Sequence, residues 1–170
     1  FPSAEICHCH GHIYEGTTFA DYTYSVRGKP DWGNRFGLLF NYIDDKNYYL
    51  LELSVSPKTA KLIQVYKGSE KVLEEGAYIG GGQYVYVKME VKNDGKTSTV
   101  KISDNVVFDQ VPTTAITHGK IGLHTWWNPL WFDDVMVEAK GSDFPAAHEQ
   151  PEASSKDFSI HPNPAALHFY

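Results

Sequence analysis

The sequence predicts an all-β sandwich or barrel. Three observations carry that expectation. Apolar residues recur with a period of two, turn residues punctuate the chain about every eight to twelve positions, and no segment holds a helical period. About eleven short strands result, as a sandwich or barrel requires.

The stretch Arg35 to Val55, RFGLLFNYIDDKNYYLLELSV, organises the rest. It reads as two strands around the turn Asp44-Asp45-Lys46-Asn47, whose Asp and Asn side chains bond nearby backbone. Phe36, Leu38, Phe40 and Tyr42 fall on one face of the first strand, Leu39 and Ile43 on the other. A strand apolar on both sides belongs in the middle of a packed sheet. Tyr49, Leu51, Leu53 and Val55 then alternate with Tyr48, Leu50, Glu52 and Ser54.

The remaining strands follow the same logic. In EICHCHGHIYE (5–15), Ile6, His8, His10, His12 and Tyr14 share one face; Cys7, Cys9, Gly11 and Ile13 share the other, expected to be the buried one. In 19–27, Ala20, Tyr22, Tyr24 and Val26 share a face, and 28–34 reads as a loop carrying Trp32. Strands are expected at 61–67, 71–74 and 84–92, the last with Val85, Val87, Met89 and Val91 facing in. Asn93-Asp94-Gly95 signals a hairpin to 97–103, and Asp104-Asn105 a second one to 106–108. Strands at 119–124 and 131–138 complete residues 1–139, the sandwich domain. Residues 140–170, rich in Pro, Ala, Ser and charge, read as an extended, irregular C-terminal tail or linker. Its Phe144, Phe158, Ile160, Leu167, Phe169 and Tyr170 are candidate anchors, to this domain or to other protein chains.

At 170 residues the chain is long enough for one domain with a real core. A net charge of −6 and only two arginines, Arg27 and Arg35, argue against a nucleic-acid partner or a polybasic membrane binder. No run is apolar enough to insert across a bilayer. The chain does not begin with Met and is expected to be a processed product or a piece of a longer polypeptide. Cys7 and Cys9 stand about 6.5–7 Å apart on a strand, near the limit for a bridge, so no disulfide framework is implied.

The order of these elements resembles the concanavalin A-like (laminin-G-like) jelly-roll superfamily, in its glycan-associated branch of carbohydrate-binding modules, sugar-hydrolase-like domains and polysaccharide lyases. FGLLFNYIDDKNYYLLELS is similar to the strand–D-x-x-N-Y-Y–strand hairpin of that group, KLIQVYKGSEKVLEEG to its k-x-x-G-x-x-x-x-L hairpin, and YVYVKMEVKNDGKTSTVKISDNVVFD to its paired strands. GKIGLHTWWNPLWFDDVMVEA is similar to its closing G-x-I-G-L … F-D-N/D-V-x-V. The match runs from about Phe19 to Ala139. It implies a two-sheet antiparallel jelly-roll β-sandwich, and with it an extracellular or cell-surface module. Asp133 matches the closing-strand Asp that helps many relatives hold a structural Ca²⁺. Such an ion needs six to eight oxygens, for which Glu5, Asp134 and Asp31 are available.

Three groups of residues could carry chemistry. Trp32, Trp126, Trp127 and Trp131 fall in loops, where a flat apolar ring suits either a sugar platform or a plug at the end of the sandwich. His8, His10 and His12 share a strand face; with Tyr14 and, across the sheet, His124, that face could supply an acid–base pair or line a groove. Two such histidines could also share a transition metal. Enzymatic signatures are missing: there is no E-x-D-x-x-E, no lyase-type R-x-E-L-R or Q-I-H, no G-x-S-x-G elbow and no Gly-rich phosphate loop. The expectation is therefore a non-catalytic module that binds a polysaccharide or glycan through Trp32, Trp126, Trp127, Trp131, His10, His124 and a concave sheet face. Two alternatives stand beside it: a polysaccharide lyase or glycoside hydrolase using His8, His10, His124 and Arg35, and a structural subunit pinned by its tail.

Overall fold

The computed structural model describes residues 10–31, 35–126 and 130–140. Among them run eleven strands: β1 (His10–Ile13), β2 (Tyr22–Pro30), β3 (Arg35–Asp44), β4 (Asn47–Val55), β5 (Lys58–Tyr66), β6 (Ser69–Ala77), β7 (Val87–Asn93), β8 (Thr97–Ile102), β9 (Asn105–Pro112), β10 (Lys120–Thr125) and β11 (Leu130–Ala139). They form a six-stranded sheet, β1-β10-β3-β4-β5-β6, and a five-stranded sheet, β11-β2-β7-β8-β9. Every pairing is antiparallel. This is the expected two-sheet jelly-roll sandwich. Glu5 to Cys9, Trp32, Trp127 and residues 141–170 lie outside the described residues.

The alternation read from the sequence places the core. Tyr22, Tyr24 and Val26 of β2 meet Phe36, Leu38 and Phe40 of β3 and Tyr49, Leu51 and Leu53 of β4, all buried in one cluster. Met89, Val91, Val100 and Ile102 close it from the second sheet. At about 1.5–3 kcal/mol for each fully buried large apolar side chain, this cluster is the main stabilising term. Leu39, Leu50, Ile63 and Val65 form a smaller cluster on the outer face of the six-stranded sheet, with Ile13 and Tyr48 packed against it. Two clusters on opposite sides of the same strands explain why β3 and β4 are apolar on both faces. Ile13 faces into this packing while His12 and Tyr14 are exposed, which fits the expected choice of buried face in β1.

Four local expectations are corrected. Tyr42 does not continue the core face of Phe40, because Asn41 adopts a left-handed φ of 47° and the β3–β4 register shifts between Phe40 and Asp44. Asn41 turns inward instead, and Tyr42 stacks on Tyr48 at 5.9 Å, outside. Strand β2 runs on through Gly28 to Pro30, residues that read as loop. Strand β7 begins only at Val87: Tyr84 has a left-handed φ of 61° and the Val85 amide donates to the Gly82 carbonyl, so Val85 is exposed rather than core. Strand β6 spans Ser69–Ala77, longer than the expected 71–74.

The inward turn of Asn41 builds a buried polar network. Tyr22 Oη donates to Asn41 Oδ1 at 2.7 Å, and Asn41 Nδ2 donates to the Ile116 carbonyl at 2.8 Å. Asn93 Nδ2 donates to the Ala20 carbonyl at 2.8 Å, Ser98 Oγ donates to Asn93 Oδ1 at 3.2 Å, and Thr113 Oγ1 lies 3.0 Å from Ser98 Oγ. Burial pushes the Tyr22 phenol well above its ordinary pKa, against a lowering by the Asn41 amide, so the hydroxyl stays a donor. Removing one partner leaves the others buried and unsatisfied, at about 1–3 kcal/mol each. Asn41→Ala is therefore expected to lower the unfolding free energy by about 2–4 kcal/mol in a urea titration, and the exposed substitution Lys71→Ala by no more than about 0.5 kcal/mol. An Asn41→Ala midpoint equal to wild type would remove the network from the list of stabilising features.

Candidate functional site

The register of the six-stranded sheet lays its outer side chains in rows across the strands. One row reads Gly11, His124, Gly37, Glu52, Lys61, Glu75, each opposite the next on the neighbouring strand. Neighbouring strands in the row stand about 4.8 Å apart. The next row toward the loop end pairs Arg35 with Ser54 and Ser54 with Thr59. On the other side the row is apolar: Ile13, Gly122, Leu39, Leu50, Ile63, Val72. The outer face is thus split, polar toward the loops and apolar behind.

The polar half is a depression of about 260 Å³ lined by Arg35, Glu52, Ser54, Pro57, Thr59, Lys61 and Glu75. That is smaller than the ~300–1,000 Å³ of a drug-sized ligand site. Its charges alternate in sign. Lys61 Nζ lies 3.7 Å from Glu75 Oε1. Burial raises the Glu52 carboxyl above the ordinary glutamate range, Arg35 and Lys61 pull it back, and Glu70 raises it further. Position 37 requires glycine because a Cβ there would run into the backbone of Leu51.

His124 is 2% exposed, and its Nε2 has no hydrogen-bond partner. Burial pushes its pKa down to about 4, helped by the nearby Arg35 charge. The ring is neutral at pH 7, with one nitrogen free of a proton. Arg35 sits at the junction of these groups: its guanidinium lies 5.4 Å from the centre of the Trp126 ring, and the Trp126 amide donates to its carbonyl at 3.3 Å.

Several expected site residues come together and others do not. Strand ends place the β2–β3, β4–β5, β6–β7 and β10–β11 connections at one end of the sandwich, so Trp126 and Trp131 do share the loop end. Trp126 is half-buried against Arg35; Trp131 is half-buried with its Nε1 donating to Asp31 Oδ2 at 2.8 Å. Trp32, Trp127 and His8 lie outside the described residues. The expected sharing of one face by His124 and the β1 histidines is corrected by the register. His124 stands opposite Gly11, on the face of Ile13, whereas His12 stands opposite Leu123 and His10 opposite Thr125. A β-pleat sends His124 and His12 to opposite sides, so no acid–base pair forms between them.

The calcium expectation for Asp133 does not fit the described residues. Asp133 lies on the outer face of the other sheet, where Arg27 Nη2 is 3.5 Å from its Oδ2 and Arg27 Nη1 is 3.1 Å from Asp134 Oδ2. A guanidinium between the two carboxylates supplies the positive charge, and Asp31 is engaged with Trp131. No group of three His, Cys, Asp or Glu is placed to hold a metal ion among the described residues, and Glu5 lies outside them. Asp44 is structural: its carboxylate accepts from the Lys46 amide at 2.8 Å and from Asn47 Nδ2 at 2.9 Å, which holds its pKa below the usual range.

Glu52, Lys61, Glu75, Ser54 and Thr59 were not singled out from the sequence. The available signal was Glu52, a charge on the β4 face that otherwise carries Tyr48 and Leu50, with Lys61 on the next strand.

With this geometry in hand, comparison with solved structures finds the same fold repeatedly. The carbohydrate binding module CBM66 from Bacillus subtilis superposes with a TM-score of 0.66 at 21% identity, covering 73% of this chain and 78% of that one. Xenopus laevis galectin-Ib gives 0.64 at 10% identity, covering 76% and 100%. A homodimeric agglutinin from chicken liver gives 0.63 at 11% identity, covering 76% and 100%. At these identities the likeness establishes the concanavalin A-like jelly-roll fold. No protein-family model and no curated protein sequence matches the chain.

A buried neutral histidine makes stability depend on pH. The folded pKa of His124 is about 4, against 6.5 for a free histidine, so the unfolded chain binds this proton first. Stability is full above about pH 6.5 and is lost as pH falls toward the folded pKa, by up to about 3 kcal/mol from this group. His124→Gln is expected to flatten the stability–pH curve between about pH 4 and 6.5 in urea titrations. A slope equal to wild type would mean that His124 is not buried neutral.

Proposed function

We propose that this chain is a non-catalytic saccharide-binding module that holds one neutral sugar residue of a polysaccharide in the depression lined by Arg35, Glu52, Lys61 and Glu75. The observation that carries the reading is the polar spot itself. Two cations and two carboxylates alternate on one half of a sheet face whose other half is apolar. A sugar ring offers hydroxyls, each both donor and acceptor, and such a spot offers donors from Arg35 and Lys61 beside acceptors from Glu52 and Glu75. Charge-assisted hydrogen bonds of this kind are about twice as strong as neutral ones. Balanced charge favours a neutral sugar over a uronate or sulfated one. The structural neighbours, a carbohydrate-binding module and an agglutinin among them, support the same ligand class. An extracellular or cell-surface setting accords with a polysaccharide ligand. Trp126 then serves by fixing Arg35, because the guanidinium already lies over its ring.

Native gels cast with neutral glucan, mannan, xylan and fructan, and with acidic pectin and alginate, test this directly. Retardation by at least one neutral polymer, without release of new chain ends, is expected. New chain ends would establish a lyase or hydrolase in its place, and retardation by the acidic polymers alone would reject the neutral ligand. Glu52→Gln and Arg35→Ala are each expected to weaken retention about tenfold, equivalent to about 1.4 kcal/mol. Retention should also weaken in mildly acidic buffer, at a higher pH than an ordinary glutamate would give, because Glu52 is protonated early. That pH dependence should vanish in Glu52→Gln. A wild-type profile in the variant would move the site elsewhere.

A further inference from the structure

The opposite outer face, that of the five-stranded sheet, carries a second cluster that the sheet depression does not use. Lys29 and Trp131 stand opposite each other on β2 and β11. The Lys29 ammonium lies 5.2 Å from the centre of the Trp131 ring and 5.3 Å from that of Tyr86. Arg27 lies over the same Tyr86 ring at 4.7 Å. Tyr84 lies in the adjoining loop, whose backbone is tied down. The Tyr84 amide donates to the Pro30 carbonyl at 2.8 Å, Gln83 Nε2 donates to the Asp31 carbonyl at 2.9 Å, and Lys58 Nζ donates to the Gly81 carbonyl at 2.8 Å.

Tyr84 holds a left-handed φ of 61° and is 64% exposed; Val85 beside it is 52% exposed and Tyr86 36%. A bulky residue in that backbone region is uncommon, and backbone strain of this kind collects where a ligand is held. One exposed ring needs no account, but the Tyr86 and Trp131 rings share the Lys29 cation at this corner, and Tyr84 stands exposed in the loop whose amide the Pro30 carbonyl holds. The corner's charges point to the ligand. Arg27 is met by Asp133 and Asp134, and Asp31 bonds Trp131, so carboxylates balance the cations. A polyanion or an anionic lipid surface gains little there. A neutral ring with an apolar C–H face and hydroxyls at its rim suits aromatic rings that stand beside Lys29 and Asp31, as Tyr86 and Trp131 do.

We propose that the Tyr84–Tyr86–Trp131 corner is a second saccharide-contacting surface, so that one copy of this domain engages two segments of a neutral polysaccharide. The proposal rests on the saccharide reading of the sheet depression and adds a site on the other sheet. Two weak sites joined in one rigid body raise avidity on a polymer and cross-link it.

The test uses the full chain with the same panel of neutral glucan, mannan, xylan and fructan, read by gel retardation and by turbidity of the mixed solution. Wild type is expected to cloud a polymer that retards it. Y84A, and separately Y84A with Lys29→Ala, should reduce clouding at least tenfold while gel retention falls by less than threefold. E52Q should lose clouding but keep a residual retention that Y84A then abolishes. Clouding by both corner variants equal to wild type overturns the proposal. So does retention abolished outright by E52Q, which leaves the sheet reading intact. Retention of phosphatidylserine vesicles lost in Y84A, with polymer clouding unchanged, would assign the corner to a membrane and overturn it as well. A wild type retarded by none of the polymers defeats both readings together.

Discussion

The register of β3 against β4 and β10 is the constraint on which the rest depends. Side chains alternate sides with a period of two, so a slip of one residue would carry Phe36, Leu38 and Phe40 out of the core and put Arg35 and Gly37 into it. The native register does the reverse. It seats the three large side chains in the main cluster and lines up His124, Gly37 and Glu52 on the outside. Asn41 limits how far that register extends. Its left-handed backbone ends the alternation after Phe40, and its amide ties β3 to the second sheet through Tyr22 and Asn93. The bulge is therefore a fastening between the sheets as well as a break in one strand.

The same register divides the outer face of the six-stranded sheet into two halves with different tasks. Leu39, Leu50 and Ile63 pack on one another and leave little surface for a polar ligand. One row further toward the loops, β4, β5 and β6 present Glu52, Lys61 and Glu75, whose signs alternate. The boundary between the halves is one residue pair wide, so a ligand's position along the strands is set by where hydroxyls can be satisfied. The sheet edges are guarded as well. Strand β6 carries Glu70, Lys71, Glu74 and Glu75, while β9 and β11 are broken by left-handed residues at Gln110 and Asp134. Charges and bulges of this kind discourage edge-to-edge pairing and leave the sheet faces and the loop end for recognition.

Much of the fold was legible because periodicity and turn chemistry are local. Asp44 accepts the backbone amide it was expected to accept, Gly95 takes the left-handed φ of 78° that its hairpin demands, and Tyr22, Tyr24 and Val26 are buried as their alternation implied. The errors also share a cause. Tyr42, Val85 and the end of β2 were misplaced where a left-handed residue or a long-range hydrogen bond overrode the local pattern. Arg35 and His124 were legible as candidates, but not as neighbours of Glu52. Nothing in the sequence sets His124 opposite Gly11 rather than beside His12, because that choice is made by pairing β1 with β10 across more than a hundred residues.

By itself, then, the amino-acid sequence determined an all-β sandwich, its hairpins and most of its core, since each follows from alternation or turn residues. The tertiary structure decided the site. Arg35, Glu52, Lys61 and Glu75 are scattered surface charges in the linear chain, and they become one polar depression only when four strands align in a particular register. Strand pairing is a long-range choice, settled by burying both apolar faces at once, and no window of sequence contains it.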